Sequence, residues 1–437
     1  MEHALLRRDV HMTDEPMRAK SRSLLAGCAL AAIAVVGCAI LGFMRPRDAL
    51  GDSPLVMVKE SGALYVRIGD TVHPALNLAS ARLIVGSPAS PDVVKQSELG
   101  KAKRGAQLGI PGAPDVLPEP IPAGESQWTV CDDATGTTVT AGSGSVSSTA
   151  TPLTGGRTVL ARPRGESMTY LLYAGVRARV SLAEPAVSRA LHLDAIEPQE
   201  LSSALLNAIP EVPPITAPDI PGAGTRGPDT LGMPVGSVVR VARAGADELF
   251  VILVEGVQRV GPVAADIIRF SNSLGTRDVV TVTADAVGAT PVVETLPVAA
   301  FPDADVQPVN TLVVCAKWTP AVAEKGGTVA IFGAPVVPLE PDHAAVRMTH
   351  ADGIGPNVDA VYVPPGRCVF VQSPQWYLVS DTGVRYGVGV ESAAALGLPR
   401  QPAQAPWSFV KLLADGPELS RAAALVAHDG VATAMPP

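Results

Sequence analysis

Aromatic side chains make up only 4% of this 437-residue sequence, and charged residues 17%, against a usual ~25%. Charges this sparse exclude a long coiled coil, whose flanking positions carry ion pairs along its length. No basic excess exists either. With 34 Lys and Arg against 42 Asp and Glu, the net charge is −8, so the sequence lacks the electrostatic footprint of a nucleic-acid binder. Disorder is excluded by a hydrophobic fraction of 47%. Collagen is excluded by the lack of a G-X-Y period. What is abundant is Gly and Pro, 41 of each. That mixture reads as many short elements joined by turns, and the length allows two to four domains.

Long apolar runs are missing too, with one exception. Leu24–Met44, LLAGCALAAIAVVGCAILGFM, carries no charge. At about 1.5 Å per residue it makes ~31 Å of helix, enough for a ~30 Å hydrocarbon core. Arg18, Lys20 and Arg22 flank it on one side, Arg45 and Arg47 on the other. Residues 1–23 also hold Arg7 and Arg8, so the positive-inside rule predicts a cytoplasmic N-terminus. A cleaved signal peptide has a shorter apolar core, and Met44-Arg45-Pro46 is a poor cleavage site. Leu25-Ala26-Gly27-Cys28 and Val35-Val36-Gly37-Cys38 resemble lipoboxes, but apolar sequence continues past both. A permanent helix is the preferred reading, with Cys28 and Cys38 as small apolar residues within it.

Four segments repeat one pattern of strand, Gly-containing turn, strand and small-residue helix: Leu64–Gly86, Tyr170–Leu193, Phe250–Phe270 and Tyr377–Leu398. They align on Gly69, Gly175, Gly256 and Gly383, each read as a tight turn with positive φ. Pro185 and Pro262 suit the first turn of the helix that follows. Further helices are expected from Ser90-Pro91-Asp92, from Glu197-Pro198-Gln199-Glu200 and from Ala405-Pro406-Trp407. The spacing between copies is too irregular for a tandem solenoid. The predicted fold class is α+β: one N-terminal transmembrane helix, then an elongated multi-lobed ectodomain with four ββα repeats around a central β-rich domain. Its boundaries are a cytosolic segment at 1–23, the transmembrane helix at 24–44 and a linker at 45–60. Repeat 1 follows at 61–110, the first half of the central domain at 123–165 and repeat 2 at 166–212. A Pro-rich linker at 213–234 leads to repeat 3 at 235–279. The second half of the central domain at 280–345, the repeat 4 region at 346–428 and a tail at 429–437 complete the chain. Twelve prolines fall in Leu108–Pro122 and Pro210–Pro234, which read as stiff linkers.

Three cysteines lie outside the apolar run: Cys131, Cys315 and Cys368. A mirrored pattern, Trp128-Thr129-Val130-Cys131 and Cys315-Ala316-Lys317-Trp318, favours a Cys131–Cys315 bond, although spacing alone equally allows three free thiols. No phosphate loop of the form G-x-x-x-x-G-K-[ST] occurs, and no serine has glycines at both −2 and +2. His343 and His350, near Asp342 and Asp352, have no recognised metal-ligand spacing. Asp132-Asp133 reads as a solvated turn, His73 as a strand residue, and His428-Asp429 as the end of the last helix.

The sequence also carries EHALLRRD from Glu2, HPALNLASARLIVGSPASPDVV from His73, LGIPGAP from Leu108, WYLVSDTGVRYGV from Trp376 and APWSFVKLLADGPELSRAAAL from Ala405. With the two Trp/Cys motifs, these segments together resemble the EccB family, a single-pass membrane component of actinobacterial type VII (ESX) secretion systems. The resemblance implies a membrane complex with EccC, EccD and EccE, and ectodomains that associate with one another on the periplasmic side. It also implies the Cys131–Cys315 disulfide. Family members usually carry a longer cytosolic segment before E-H-A-L, whereas this sequence starts within that motif. Three functions are weighed. The first is a non-catalytic structural subunit without cofactor. The second is an ATPase, a label the family carries, which would use ATP but lacks its phosphate loop here. The third is a cell-wall binding module, for which the sequence shows no aromatic stripe.

Overall fold

The computed structural model describes residues 27–36, 52–142, 150–243, 245, 247–272, 274, 278–321, 326–339 and 343–428. Residues 27–36 are α-helical and exposed. The rest of the apolar run, and with it Cys38, Arg18, Lys20, Arg22, Arg45 and Arg47, lies outside the described residues. Among the described residues no helix is long and apolar enough to cross a membrane. The chain divides into two compact units, one of Met1–Ala75, Ala89–Gln107 and Asp429–Pro437, the other of Leu76–Pro88 and Leu108–His428.

The first unit holds a five-stranded sheet. Leu55–Val58, Leu64–Ile68 and Thr71–Ala75 form an antiparallel meander. Asp92–Val94 joins parallel to the first of these strands and Lys103–Arg104 parallel to the third. Val58, Val72 and Leu99 pack together beneath it.

The second unit contains two sheets with the same strand order. In one, the meander is Arg157–Pro163, Thr169–Tyr173 and Val176–Val180, flanked by Gln199–Leu201 and Glu211–Ile215. In the other it is Arg367–Ser373, Gln375–Val379 and Val384–Gly387, flanked by Ala403–Gln404 and Ala414–Asp415. A further sheet, built on Val238–Val241, Glu248–Leu253 and Gly256–Val260, has the parallel partner Val280–Val282. Its fifth position is reduced to a single bridge between Val257 and Val292. Pro185 and Pro262 each open the helix after the third strand, Pro185–Ala190 and Pro262–Ser271, where a missing N–H costs nothing. The seven-stranded central sheet runs Val346–Arg347, Ala360–Tyr362, Thr137–Ala141, Trp128–Asp132, Val313–Pro320, Gly327–Ala334, Thr151–Pro152.

Several boundaries drawn from the sequence fall one strand away from these sheets. Leu55–Val58, assigned to a linker, is the first strand of its sheet. Arg157–Pro163 and Val280–Val282, assigned to the central domain, pair within neighbouring lobes, whereas Val346–Arg347 and Ala360–Tyr362 belong to the central sheet. The stretches at Asp92 and Gln199 are strands, and the helices begin later, at Gln96 and Ser203. The prolines of the second Pro-rich segment are not all in a free linker. Pro213 and Pro214 sit in the edge strand Glu211–Ile215, the position in a sheet that tolerates proline. Glu119–Pro120 likewise pairs with Arg367–Cys368.

Within the second unit the lobes share cores. Trp128 and Val130 of the central sheet, Leu205 and Leu206 of helix Ser203–Ala208, and Val369 and Phe409 of the last lobe belong to one buried cluster. Leu171, Val187, Val251 and Ile267 belong to another, in which helix Pro185–Ala190 packs on helix Pro262–Ser271. Burying several fully covered aliphatic side chains at ~1.5–3 kcal/mol each holds such lobes together more firmly than a linker would.

Candidate functional site

Trp128–Asp132 and Val313–Pro320 are adjacent central strands in antiparallel register, with Cys131 opposite Cys315 and Trp128 opposite Trp318. That register places the two thiols side by side, and they form a disulfide with Cα atoms 4.1 Å apart. Both cysteines are fully buried, beside Val313, Phe332 and Ala334. Cys368 is a buried free thiol that donates to the Pro118 carbonyl at 3.2 Å. Burial, partly offset by the Arg367 charge and supported by Asp381, pushes the thiol up to about 12, so it stays protonated near neutral pH.

The residue after Cys131 departs from the sequence reading. Asp132 is fully buried, not solvated. Its Oδ1 accepts from Thr137 Oγ1 at 2.8 Å and Arg164 Nη1 at 3.1 Å. Its Oδ2 accepts from Arg164 Nη2 at 2.8 Å and the Ser202 amide at 3.0 Å. Ser202 in turn caps helix Ser203–Ala208 by accepting from the Leu205 amide. All four acceptor positions of the carboxylate are occupied, so Asp132 serves as a structural tie and has no free lone pair for proton transfer. Thr137 is close in sequence, but Arg164 and Ser202 stand 32 and 70 residues away, so no local pattern could have shown them. Asp133 does form the expected exposed turn, accepting from the Thr135 amide.

The turn glycines mark the same hairpin in each lobe without occupying one equivalent place. Gly69 is the first residue of its two-residue connection, Gly175 the second, and Gly256 the first residue of the following strand. Gly383 directly precedes the strand Val384–Gly387. Their φ values are +63°, +84°, +155° and +81°.

His73 lies in a strand and its Nδ1 is hydrogen-bonded to the Ala106 carbonyl at 3.0 Å. His343 packs against the Tyr362 ring, 5.6 Å between centroids. Asp342 and Asp429 lie outside the described residues. Among the described residues no group of His, Cys, Asp and Glu could hold a metal ion. His428 does not end a helix. The last described helix stops at Ala424, and the His428 ring is hydrogen-bonded to the Gly109 carbonyl at 2.8 Å. Sequence reading also missed a cluster at the margin of the last lobe's core, where the exposed Trp407 stacks on the buried Tyr377 at 5.7 Å with Arg385 beside both rings.

The chain matches the family described as type VII secretion system ESX-1, transport TM domain B, over residues 1–433. It belongs to the EccB family. A relative from Mycolicibacterium smegmatis, named ESX-3 secretion system ATPase EccB3, is 37% identical over 97% of this chain and 87% of its own length. The ESX-2 secretion system ATPase EccB2 of Mycobacterium tuberculosis is 36% identical over 95% of this chain and 90% of its own length. Among solved structures, a chain of the intact ESX-5 inner membrane complex has a TM-score of 0.78 at 33% identity, over 99% of this chain and 94% of that one. The EccB3 dimer from the ESX-3 core complex has a TM-score of 0.76 at 34% identity, over 86% of this chain and 100% of that one. This EccB-family chain therefore shares its α+β fold with components of two ESX complexes.

Proposed function

We propose that this chain is a membrane-anchored structural component of a type VII (ESX) secretion complex. The single observation that carries the reading is its likeness to a chain of the intact ESX-5 inner membrane complex, over nearly the full length of both. Leu24–Met44 is the anchor, with Arg18, Lys20 and Arg22 on the cytosolic side and Arg45 and Arg47 across the membrane. The lobes and central sheet assemble on the periplasmic side, in keeping with the similarity to a chain of the ESX-5 periplasmic assembly. They associate with a second copy, in keeping with the similarity to a chain of the EccB3 dimer, and the partners that the family resemblance implies are EccC, EccD and EccE. The four sheets with their shared strand order are diverged copies of one unit. Gly69, Gly175, Gly256 and Gly383 mark the hairpin of each.

The role needs no bound cofactor, and the relatives' ATPase label finds no phosphate loop in this sequence. Deleting the gene is expected to abolish both assembly of the membrane complex, read by native gels and crosslinked co-purification, and export of its substrates. Intact assembly and export in the deletion strain would sink the reading. Purified full-length chain is expected to hydrolyse no ATP above background. Hydrolysis that one point substitution removes would replace it with an enzymatic role.

A further inference from the structure

The last lobe carries a groove of about 610 Å³ that the structural role does not use. Tyr377 and Arg385 come from neighbouring strands, with Gly387 directly opposite Tyr377 in the register, and Tyr377 itself is a buried core residue at the base of the groove. Helix Trp407–Val410 brings in Trp407 from 30 residues away, stacked on Tyr377 at an interplanar angle of 22°. Arg385 is fixed by an ion pair to Asp415 at 3.5 Å and by its Nε donating to the Leu413 carbonyl at 3.2 Å. Its guanidinium lies 5.0 Å from the Trp407 ring centre and 5.7 Å from that of Tyr377. Trp407 nevertheless remains 40% exposed, and Gln375, Asp415 and Glu418 rim the groove.

We propose that this groove binds a neutral glycan, with a sugar ring stacked on Trp407 and its hydroxyls bonded to Asp415, Glu418 and Gln375. Three features select that occupant. First, two amides of the lining are already engaged: Val388 donates to the Trp376 carbonyl and Gly416 to that of Arg385. With those donors taken, recognition falls mainly to the side chains of the groove. Second, two carboxylates stand against one arginine that is already paired, a balance that repels phosphate and other anions. Third, an aromatic face ringed by carboxylates and an amide meets both surfaces of a sugar, the apolar C–H face and the hydroxyl edge. The binding itself is independent of the secretion role. Only the place where the glycan is met, outside the cytoplasmic membrane, rests on the proposed topology.

The test uses full-length chain in a detergent without sugar headgroups, titrated with chitotetraose and, separately, cellotetraose. Tryptophan fluorescence and calorimetry report binding. Saturable binding of at least one oligosaccharide is expected. Trp407→Ala should weaken it tenfold or more, and Trp407→Phe should restore it to within about threefold. Gly387→Val blocks the floor: a Cβ there meets nothing nearer than Gln375 Nε2 at 3.6 Å, so the fold tolerates it while the ligand should not. Asp415→Asn, at a side chain 73% exposed, keeps the test available if Trp407→Ala fails to fold, and should weaken binding threefold or more. The absence of saturable binding to either oligosaccharide would overturn the proposal, as would binding unchanged in Trp407→Ala and Gly387→Val. Saturation by tetralysine in place of either sugar would show a cation site and overturn it too. The two proposals fail separately: no sugar binding by the unsubstituted chain would overturn this one alone, and intact export and assembly in the deletion strain would overturn the secretion reading alone.

Discussion

At the scale of single residues, Asp132 shows how one buried carboxylate can join elements that no local pattern connects. It holds Arg164, Thr137 and the N-terminus of helix Ser203–Ala208 at once. The Arg164 side chain is only 14% exposed, so removing its counter-charge leaves a largely desolvated cation. Asp132→Asn is therefore expected to cost about 3–5 kcal/mol in urea unfolding, and adding Arg164→Met, which removes the stranded cation while the substituted amide still accepts from its neutral donors, should recover part of that loss. A loss below ~1 kcal/mol would show that the pair is not a structural tie. From the sequence, the Asp132-Asp133 pair reads as a turn because that is what adjacent aspartates after a strand usually make. Only Asp133 behaves so.

At the scale of elements, the hairpin and the helix that follows it were legible because both are encoded locally, by alternation, a glycine and a proline at the helix start. The fourth and fifth strands were not. Asp92–Val94 and Ala403–Gln404 are three and two residues long, and their strand identity comes from parallel pairing with a distant first strand. The hairpin glycines also differ in what they meet. A Cβ on Gly69 would find open space, whereas one on Gly175 would lie 2.0 Å from the Val329 carbonyl oxygen of the central sheet. Gly69→Ala is expected to cost about 1–2 kcal/mol through its left-handed backbone alone. Gly175→Ala should cost about 3 kcal/mol or more because backbone must also move. Equal thermal shifts for the two variants would contradict this account.

At the scale of the whole molecule, the disulfide spans a sequence separation of 184 residues. In chain-entropy terms a loop of that length restricts the unfolded chain by about 5 kcal/mol. Reductant, or the pair Cys131→Ala and Cys315→Ala, is expected to lower the unfolding temperature clearly, measured by calorimetry with and without reducing agent. Coincident transitions would show that the core holds the central sheet without the bond. The shared clusters around Trp128 and around Leu171 provide that core. They also explain why the prolines of Pro210–Pro234 could not be read as a simple linker: part of that stretch is an edge strand of a packed lobe.

The sequence by itself determined the α+β class, the four hairpin-and-helix segments, the Cys131–Cys315 pairing once the family resemblance was seen, and membership of the EccB family. All of these rest on residues close in the chain or on motifs in a fixed order. Tertiary structure alone decided the strand order of each sheet, the burial of Asp132 and the meeting of Tyr377, Arg385 and Trp407. Each of those depends on register between distant segments, where the deciding energy is pairing and packing across space and not the preference of any local stretch.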